Sequence, residues 1–124
     1  MEKRKILIVE DEGLAALEMQ EFLEGQGYVV PALISTADRV VEEVAAHKPH
    51  LILMDIHLKS FIDGIDAAER VHFMQDIPII YLTAYSDRVT KERAMKTRPV
   101  AYLEKPVKKE TLLRKIKISL GELN

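Results

Sequence analysis

The chain has 124 residues, which is the size of one domain, and this length can bury a hydrophobic core without disulfides or a structural metal. It contains no cysteine, so disulfide bonds and thiolate-based metal sites or catalysis are excluded. The 18 Lys and Arg against 20 Asp and Glu give a net charge of −2, and this balance provides no basic footprint for nucleic acid. No apolar segment approaches the roughly 20 residues that span a bilayer, and we expect a cytoplasmic protein that does not bind membranes.

The chain begins with a short strand and a helix. Residues 6–9 are apolar and mostly β-branched, which is typical of a strand that is buried on both faces. Residues 13–25 place apolar side chains along one side of a helix. Residues 28–34 are predicted to form the second strand. Because Pro31 lies inside this strand and cannot donate a backbone hydrogen bond, we expect the strand at an edge of the sheet.

A second helix and a third strand follow. Ser35 and Thr36 are candidate N-caps for this helix, which ends before Pro49. Residues 51–54 form the next predicted strand and lead directly to a carboxylate, Asp55. A loop of about nine residues then reaches Gly64, where the third helix begins.

The second half of the chain repeats the alternation of strand and helix. Residues 78–82 and 100–103 are predicted strands, and residues 87–97 and 108–121 are predicted helices. Buried strands that are joined by helical crossovers imply a doubly wound α/β fold, with a five-stranded parallel sheet and helices on both faces. In such sheets the functional site lies at the carboxyl ends of the strands.

Polar residues follow four of the five predicted strands at that edge. Glu10 and Asp11 follow the first strand, Asp55 the third, Thr83 the fourth and Lys105 the fifth. Each of them alone is more often a helix cap or a solvated loop residue, but their joint occurrence indicates a site. Carboxylates that lie close together need a counter-charge, and Mg²⁺ suits a site with few carboxylates and several retained waters. The Lys105 ammonium suits a phosphate oxygen.

These motifs, in this order, resemble the receiver domain of two-component response regulators over essentially the whole chain. The resemblance rests on Ile6-Leu7-Ile8-Val9-Glu10-Asp11-Glu12, Leu51-Ile52-Leu53-Met54-Asp55, Asp63-Gly64, Tyr81-Leu82-Thr83-Ala84 and Tyr102-Leu103-Glu104-Lys105-Pro106. It implies a single receiver domain over residues 1–124 with a flavodoxin-like sheet of strand order 2-1-3-4-5.

The resemblance also implies a role for each residue of the acidic site. Asp55 would be the phosphorylated nucleophile. Asp11 and Asp55 would bind Mg²⁺ directly, together with the backbone carbonyl of His57. Glu10 would act on the metal through a water molecule.

A second group of residues would respond to phosphorylation. Thr83 and the backbone amide of Ala84 would hydrogen-bond the phosphoryl group, and Lys105 would pair first with Asp55 and then with the phosphate. Tyr102 would be the switch aromatic, which turns inward when Thr83 moves. The Lys105–Pro106 peptide bond is expected to be cis.

The sequence departs from the family pattern at two places. The acidic pair is Glu10-Asp11, where Asp-Asp is commoner, so the first carboxylate has a longer reach. The usual Met-Pro pair after the acceptor is absent. Residues 58–62 stand there instead, and the loop is about one residue longer.

Two further residues are expected to tune hydrolysis of the phosphorylated form. By resemblance, His57 and Tyr85 border the approach of water to the phosphoryl group. The Tyr85 ring would exclude water, whereas a neutral His57 imidazole could accept a proton from it. We expect shielding by Tyr85 to dominate and the phosphorylated form to decay slowly for this family.

The expected function is a phosphorelay switch that catalyses only its own phosphorylation and dephosphorylation and is not otherwise an enzyme. The expected partners are a sensor histidine kinase or a phosphotransfer protein, an unknown downstream effector and a phosphorylation-enhanced homodimer through the fourth helix, fifth strand and fifth helix. The alternative function is a phosphorylation-independent interaction module. An aspartyl-phosphate hydrolase is disfavoured, because those enzymes carry the nucleophile on the first strand.

Overall fold

Five parallel strands form one sheet in the order β2-β1-β3-β4-β5, as predicted, in a computed structural model that describes residues 2–122. The strands are β1 (Ile6–Val9), β2 (Leu33–Ile34), β3 (Leu51–Asp55), β4 (Ile79–Thr83) and β5 (Ala101–Glu104). The helices are α1 (Gly13–Gly25), α2 (Val40–His47), α3 (Gly64–Met74), α4 (Arg88–Lys96) and α5 (Lys109–Ser119), and a 3₁₀ helix, Ala37–Arg39, precedes α2.

Each face of the sheet packs against its own layer of helices. Leu7 and Val9 of β1 join the core cluster that contains residues of α2, α3 and α4. Ile6 and Ile8 point to the opposite face and join the cluster that contains residues of α1 and α5. Because both faces are covered, the central strands need apolar side chains at every position, which explains their uninterrupted hydrophobic sequences.

The second strand is shorter than predicted. Only Leu33–Ile34 pairs regularly with β1, although residues 28–34 were expected to form the strand. Val29 makes an isolated bridge to Lys5, so Pro31 lies between two separate contacts. Since proline has no backbone N–H, it interrupts the ladder at this point. The predicted edge position of the strand is confirmed.

The predicted cap of the second helix is wrong in its chemistry. Thr36 occupies the N-cap position of the 3₁₀ helix, but its side chain makes no capping hydrogen bond. The Ala37 N–H instead donates to Ser60 Oγ of the β3–α3 loop, at 3.2 Å. A residue that is distant in sequence therefore satisfies the first backbone N–H of the 3₁₀ helix.

Charge is distributed unevenly along the fold. Residues 2–87 contain sixteen Asp and Glu against seven Lys and Arg, whereas residues 88–122 contain eleven Lys and Arg against four Glu. The second segment comprises α4, β5 and α5, so a basic segment follows β4 although the net charge of the whole chain is only −2.

Among the described residues, no helix is long and apolar enough to cross a membrane.

Candidate functional site

The carboxyl ends of the parallel strands bring together the polar residues that were singled out in the sequence. Asp55 is the last residue of β3 and Thr83 the last residue of β4, while Glu10 and Asp11 directly follow β1. Lys105 directly follows β5. The short, fully buried strands thus fix the backbone positions of the site.

Three carboxylates converge at the centre of this edge. Glu10, Asp11 and Asp55 each offer an oxygen within 4.8 Å of the others. Asp55 is only 8% exposed, and burial raises its pKa to about 6; the Lys105 charge opposes this rise, and the Glu10 charge adds to it. Close, partly buried carboxylate oxygens are the donor set that a hard divalent cation prefers, so these residues fit Mg²⁺.

Lys105 extends over the acidic cluster and contacts two carboxylates. Its Nζ lies 2.5 Å from Glu10 Oε1 and 3.5 Å from Asp55 Oδ2. Burial alone would lower the pKa of Lys105, but the hydrogen bond to Glu10 and the charge of Asp55 outweigh it and raise the pKa. The peptide bond to Pro106 is cis. The shorter contact, to Glu10, was not foreseen, although the longer reach of Glu compared with Asp was a signal for it.

The β3–α3 loop (residues 56–63) is held at several points despite its unusual sequence. Lys59 N–H donates to Asp11 Oδ2 at 2.9 Å, and Ser60 Oγ donates to Ile62 O at 2.7 Å while accepting from Ala37. These bonds connect the loop to the β1–α1 segment and to the 3₁₀ helix. The longer loop is therefore anchored beside the acidic cluster.

Gly64 ends this loop where two backbone segments meet. A Cβ atom at this position would lie 2.1 Å from the backbone oxygen of Asp55. The Gly64 N–H donates to Ile56 O at 2.9 Å, which draws the start of α3 against the end of β3. Glycine is therefore required here by the close approach of the Asp55 backbone.

The start of α3 is also tied to α4. Asp63 caps α3 through a capping box with Asp66. Arg93 of α4 donates to Asp63 Oδ2 at 2.9 Å and to Asp66 Oδ1 at 3.4 Å. Burial would raise the pKa of Asp63, but the hydrogen bonds from Arg93 and the Asp66 backbone hold it below its usual value.

The loop between β4 and α4 (residues 84–87) meets the β3–α3 loop at one carbonyl. Thr83 is fully buried, and its Oγ1 donates to Tyr85 O at 2.9 Å. His57 Nε2 lies 3.0 Å from the same oxygen. Because a carbonyl can only accept, Nε2 must carry the proton, so only Nδ1 is left to act as a base.

The side chains of His57 and Tyr85 stand at the rim of the site. Both are exposed, and their rings meet edge to face with centroids 5.7 Å apart. The His57 backbone N–H donates to Asp55 Oδ1 at 3.3 Å. Ala84 is exposed beside them.

Tyr102 of β5 is half-buried and pairs with Tyr81 of β4. Its hydroxyl shares a 2.7 Å hydrogen bond with Ser86 Oγ, and its ring packs edge to face against Tyr81 with centroids 6.3 Å apart. Lys91 Nζ lies 5.6 Å from the ring centroid. The aromatic side chain thus touches the β4–α4 loop, the sheet and α4 together.

An apolar cavity of about 460 Å³ adjoins the acidic cluster. It runs between α1 and α5, with Glu10, Asp55 and Lys105 at its polar end. The sequence offered no signal for this cavity, because it depends on how two distant helices pack.

Comparisons with known proteins agree with this geometry. The sequence model of the response regulator receiver domain matches residues 6–117. The transcriptional regulatory protein PdtaR of Mycobacterium tuberculosis is 36% identical over 118 residues, which cover 95% of this chain and 57% of that protein. The chain thus spans little more than half the length of this relative.

Solved structures give the same result. A CheY-like receiver domain protein from Methanospirillum hungatei JF-1 has a TM-score of 0.91 and 29% identity, over 98% of this chain and 96% of that one. A second structure is the receiver domain of a sensor histidine kinase from Pseudomonas aeruginosa PAO1, with a magnesium ion coordinated in its active site cleft. It has a TM-score of 0.86 and 28% identity, and the match covers 97% of this chain and 99% of that one. The chain therefore belongs to the response regulator receiver domain family, whose members are signalling domains of two-component systems.

Proposed function

We propose that this domain accepts a phosphoryl group on Asp55 from a phosphohistidine of a sensor histidine kinase or phosphotransfer protein. One observation carries the proposal: a buried acceptor carboxylate lies within hydrogen-bond reach of Lys105 and beside two further carboxylates. Burial raises the pKa of Asp55 to about 6 despite the opposing charge of Lys105, which supports a need for further positive charge at this site. A site of this kind favours added positive charge, which a bound Mg²⁺ would supply.

The transfer needs positioning and charge stabilisation more than additional covalent chemistry. An Asp55 carboxylate oxygen would attack phosphorus while the phosphorus–nitrogen bond of the donor breaks, and the imidazole nitrogen would retain the bonding electron pair. Lys105 would hydrogen-bond the transferred phosphoryl oxygens. Bound Mg²⁺, held by Asp11, Asp55, the His57 carbonyl and, through water, Glu10, would neutralise charge on those oxygens.

The phosphoryl group would then change the conformation of the domain. The Thr83 hydroxyl has one proton, which it now donates to Tyr85 O. We propose that Thr83 redirects this hydrogen bond to the phosphoryl group, together with the Ala84 amide, and that Tyr102 turns inward. The surface formed by α4, β5 and α5 would report the change to an effector or to a second copy of the chain.

The test is labelling with a small phosphodonor. Acetyl phosphate or phosphoramidate with Mg²⁺ is expected to add one phosphoryl group to the wild type and none to Asp55→Asn, as measured by intact-mass and peptide mass spectrometry. Asp38→Asn, which changes an exposed acid on the 3₁₀ helix, is the matched control and should label normally.

Two results would contradict the proposal. Equal labelling of Asp55→Asn would place the acceptor elsewhere, and full labelling in excess chelator would remove the role of Mg²⁺. A wild type that never labels would favour the phosphorylation-independent interaction module.

A further inference from the structure

The Tyr85 carbonyl is the meeting point of the two loops above Asp55. It accepts from Thr83 Oγ1 at 2.9 Å and from His57 Nε2 at 3.0 Å. Thr83 ends β4 and lies two residues before Tyr85 in the chain, but His57 comes from the β3–α3 loop. The bond from His57 is therefore the one that joins the two loops.

His57 also contacts the acceptor itself. Its backbone N–H donates to Asp55 Oδ1 at 3.3 Å, while its ring reaches across to the Tyr85 carbonyl. The ring further packs edge to face against the Tyr85 ring, with centroids 5.7 Å apart. One residue thus connects the phosphoacceptor to the loop that must move when Thr83 changes its partner.

We propose that His57 is a positioning residue that holds the β4–α4 loop in its unphosphorylated arrangement, with Thr83 directed at the Tyr85 carbonyl. This inference rests on the proposed function of Asp55 as acceptor and of Thr83 as the residue that responds to phosphorylation. His57 restrains the switch through a hydrogen bond from its Nε2 proton.

The physical argument is a competition for one hydroxyl proton. Thr83 is fully buried and can donate either to the Tyr85 carbonyl or to a phosphoryl oxygen, but not to both. While the hydrogen bond from His57 holds the Tyr85 carbonyl in place, this carbonyl competes well with a phosphoryl oxygen for the Thr83 proton. Without the His57 donor the loop loses its connection to the β3–α3 loop, and the unphosphorylated arrangement loses stability relative to the phosphorylated one.

A contact between the β4–α4 loop and Tyr102 would extend the effect of His57 to β5. Ser86 Oγ shares a 2.7 Å hydrogen bond with the Tyr102 hydroxyl. A loop that is released at Tyr85 can therefore carry Ser86 with it and free the Tyr102 side chain to turn. Through this connection, His57 would influence an aromatic side chain that it does not touch.

The experiment measures binding of beryllofluoride with Mg²⁺, a stable mimic of the phosphoryl group, to wild type and His57 variants. His57→Ala removes the donor and is expected to bind beryllofluoride about 2- to 10-fold more tightly, the effect of one net hydrogen bond. His57→Gln keeps an N–H donor on a side chain of similar length and should bind like the wild type. His47→Ala, which changes a histidine on α2 whose partner is Glu43, is the control and should not differ from the wild type.

A spectroscopic measurement tests the bond directly. Imidazole ¹⁵N signals of the unliganded protein should identify Nε2 of His57 as the protonated nitrogen, with a change when beryllofluoride binds. Protonation at Nδ1 alone would overturn the inference. So would unchanged or weaker beryllofluoride binding by His57→Ala, or a His57→Gln variant that behaves like His57→Ala. If instead the wild type binds beryllofluoride at a site other than Asp55, the proposed function itself fails, and the inference fails with it.

Discussion

At the scale of single residues, Lys105 shows how positive and negative charges are arranged in the site. Its ammonium lies closer to Glu10 than to Asp55, and both carboxylates contact it from one edge of the sheet. A phosphoryl group on Asp55 would offer more negative charge than either carboxylate. If Asp55 is phosphorylated as proposed, Lys105 would need only a small movement to leave Glu10 and pair with the phosphoryl group.

Gly64 allows the first prediction. Gly64→Ala would place a Cβ atom against the Asp55 backbone, where no flexible side chain can give way. We expect the free energy of unfolding to fall by about 2 kcal/mol or more and labelling of Asp55 to slow. Gly25→Ala is the control, because it has open space and a helical position, and it should be neutral or slightly stabilising. Urea titrations that give equal stabilities for the two variants would contradict the prediction.

Tyr85 allows a second prediction at this scale. Its exposed ring stands beside His57 at the rim, and we expect it to keep water from the phosphoryl group. Tyr85→Asn should speed loss of phosphate by about tenfold, which corresponds to about 1.4 kcal/mol of barrier. The backbone carbonyl that accepts from Thr83 and His57 remains in this variant, so both hydrogen bonds can be kept.

The measurement is phosphate release after removal of the phosphodonor. Phe73→Asn removes an aromatic ring that is 94% exposed on α3, and it should leave the decay rate unchanged. Slower or unchanged decay in Tyr85→Asn would show that the ring is not the shield.

At the scale of elements, the start of α3 depends on charge. Asp63 caps this helix and pairs with Arg93 of α4, so one carboxylate joins two helices. Because the pKa of Asp63 is lowered on folding, its ionised form stabilises the folded state. This contribution is complete above the pKa of an unfolded Asp, about 4, and is lost as the pH falls through the lower folded pKa.

Asp63→Asn tests this linkage. Asn keeps a cap acceptor but loses the charge, so we expect a loss of about 0.5–1 kcal/mol at about pH 7 and little loss at about pH 2.5. Urea unfolding of both proteins at the two pH values gives the comparison. Asp38→Asn, on the 3₁₀ helix, is the control, because Asp38 is exposed and has no ion pair among residues 2–122; it should match the wild type at both pH values. A difference that stays constant with pH would contradict the argument.

The elements that the sequence predicted well are those with strong local signals. The central strands are apolar at every position because both faces are buried, and their carboxyl ends then place Asp55, Thr83 and Lys105 together. The predicted range of β2 is too long, because Pro31 cannot donate a backbone hydrogen bond and therefore interrupts the pairing with β1. The prediction uses Pro31 only as a sign of an edge strand. The hydrogen bond from the Ala37 N–H was not predicted, because its acceptor, Ser60 Oγ, is distant in sequence.

Parts of the site could not be predicted for the same reason. The Lys105 contact with Glu10 depends on side-chain rotamers at the ends of two strands that are separated by β3 and β4 in the sheet. The hydrogen bond from His57 to Tyr85 joins two loops whose relative position depends on Gly64 and on the anchored β3–α3 loop. Residue identity showed which chemistry is present, while packing decides which partners meet.

At the scale of the whole molecule, the basic segment bears on self-association. Residues 88–122 include α4, β5 and α5, the surface through which we expect a phosphorylation-enhanced homodimer, and they carry eleven Lys and Arg against four Glu. A symmetric dimer would bring two such surfaces together. Their repulsion should oppose association when salt is low.

The prediction concerns sedimentation of the beryllofluoride-loaded protein. We expect more dimer than in the free protein, and more dimer at about 0.3 M than at about 0.05 M NaCl, because salt screens like charges. An identical monomer fraction with and without beryllofluoride would contradict the homodimer. A dimer that salt weakens would instead indicate contact between the basic segment and the acidic remainder of a second copy.

Because β5 is an edge strand, the basic segment that contains it makes this edge of the sheet more positive than the rest, which gives the domain an electric dipole moment. With a pI near 6.1, the chain would be expected to pass through a cation exchanger at neutral pH, but its basic segment offers a surface that such a resin can hold. The electric field of a charged partner would likewise orient the domain before the two proteins make contact. Long-range electrostatic attraction and repulsion thus favour one orientation of this protein in its encounters with charged molecules, before any side chain makes contact.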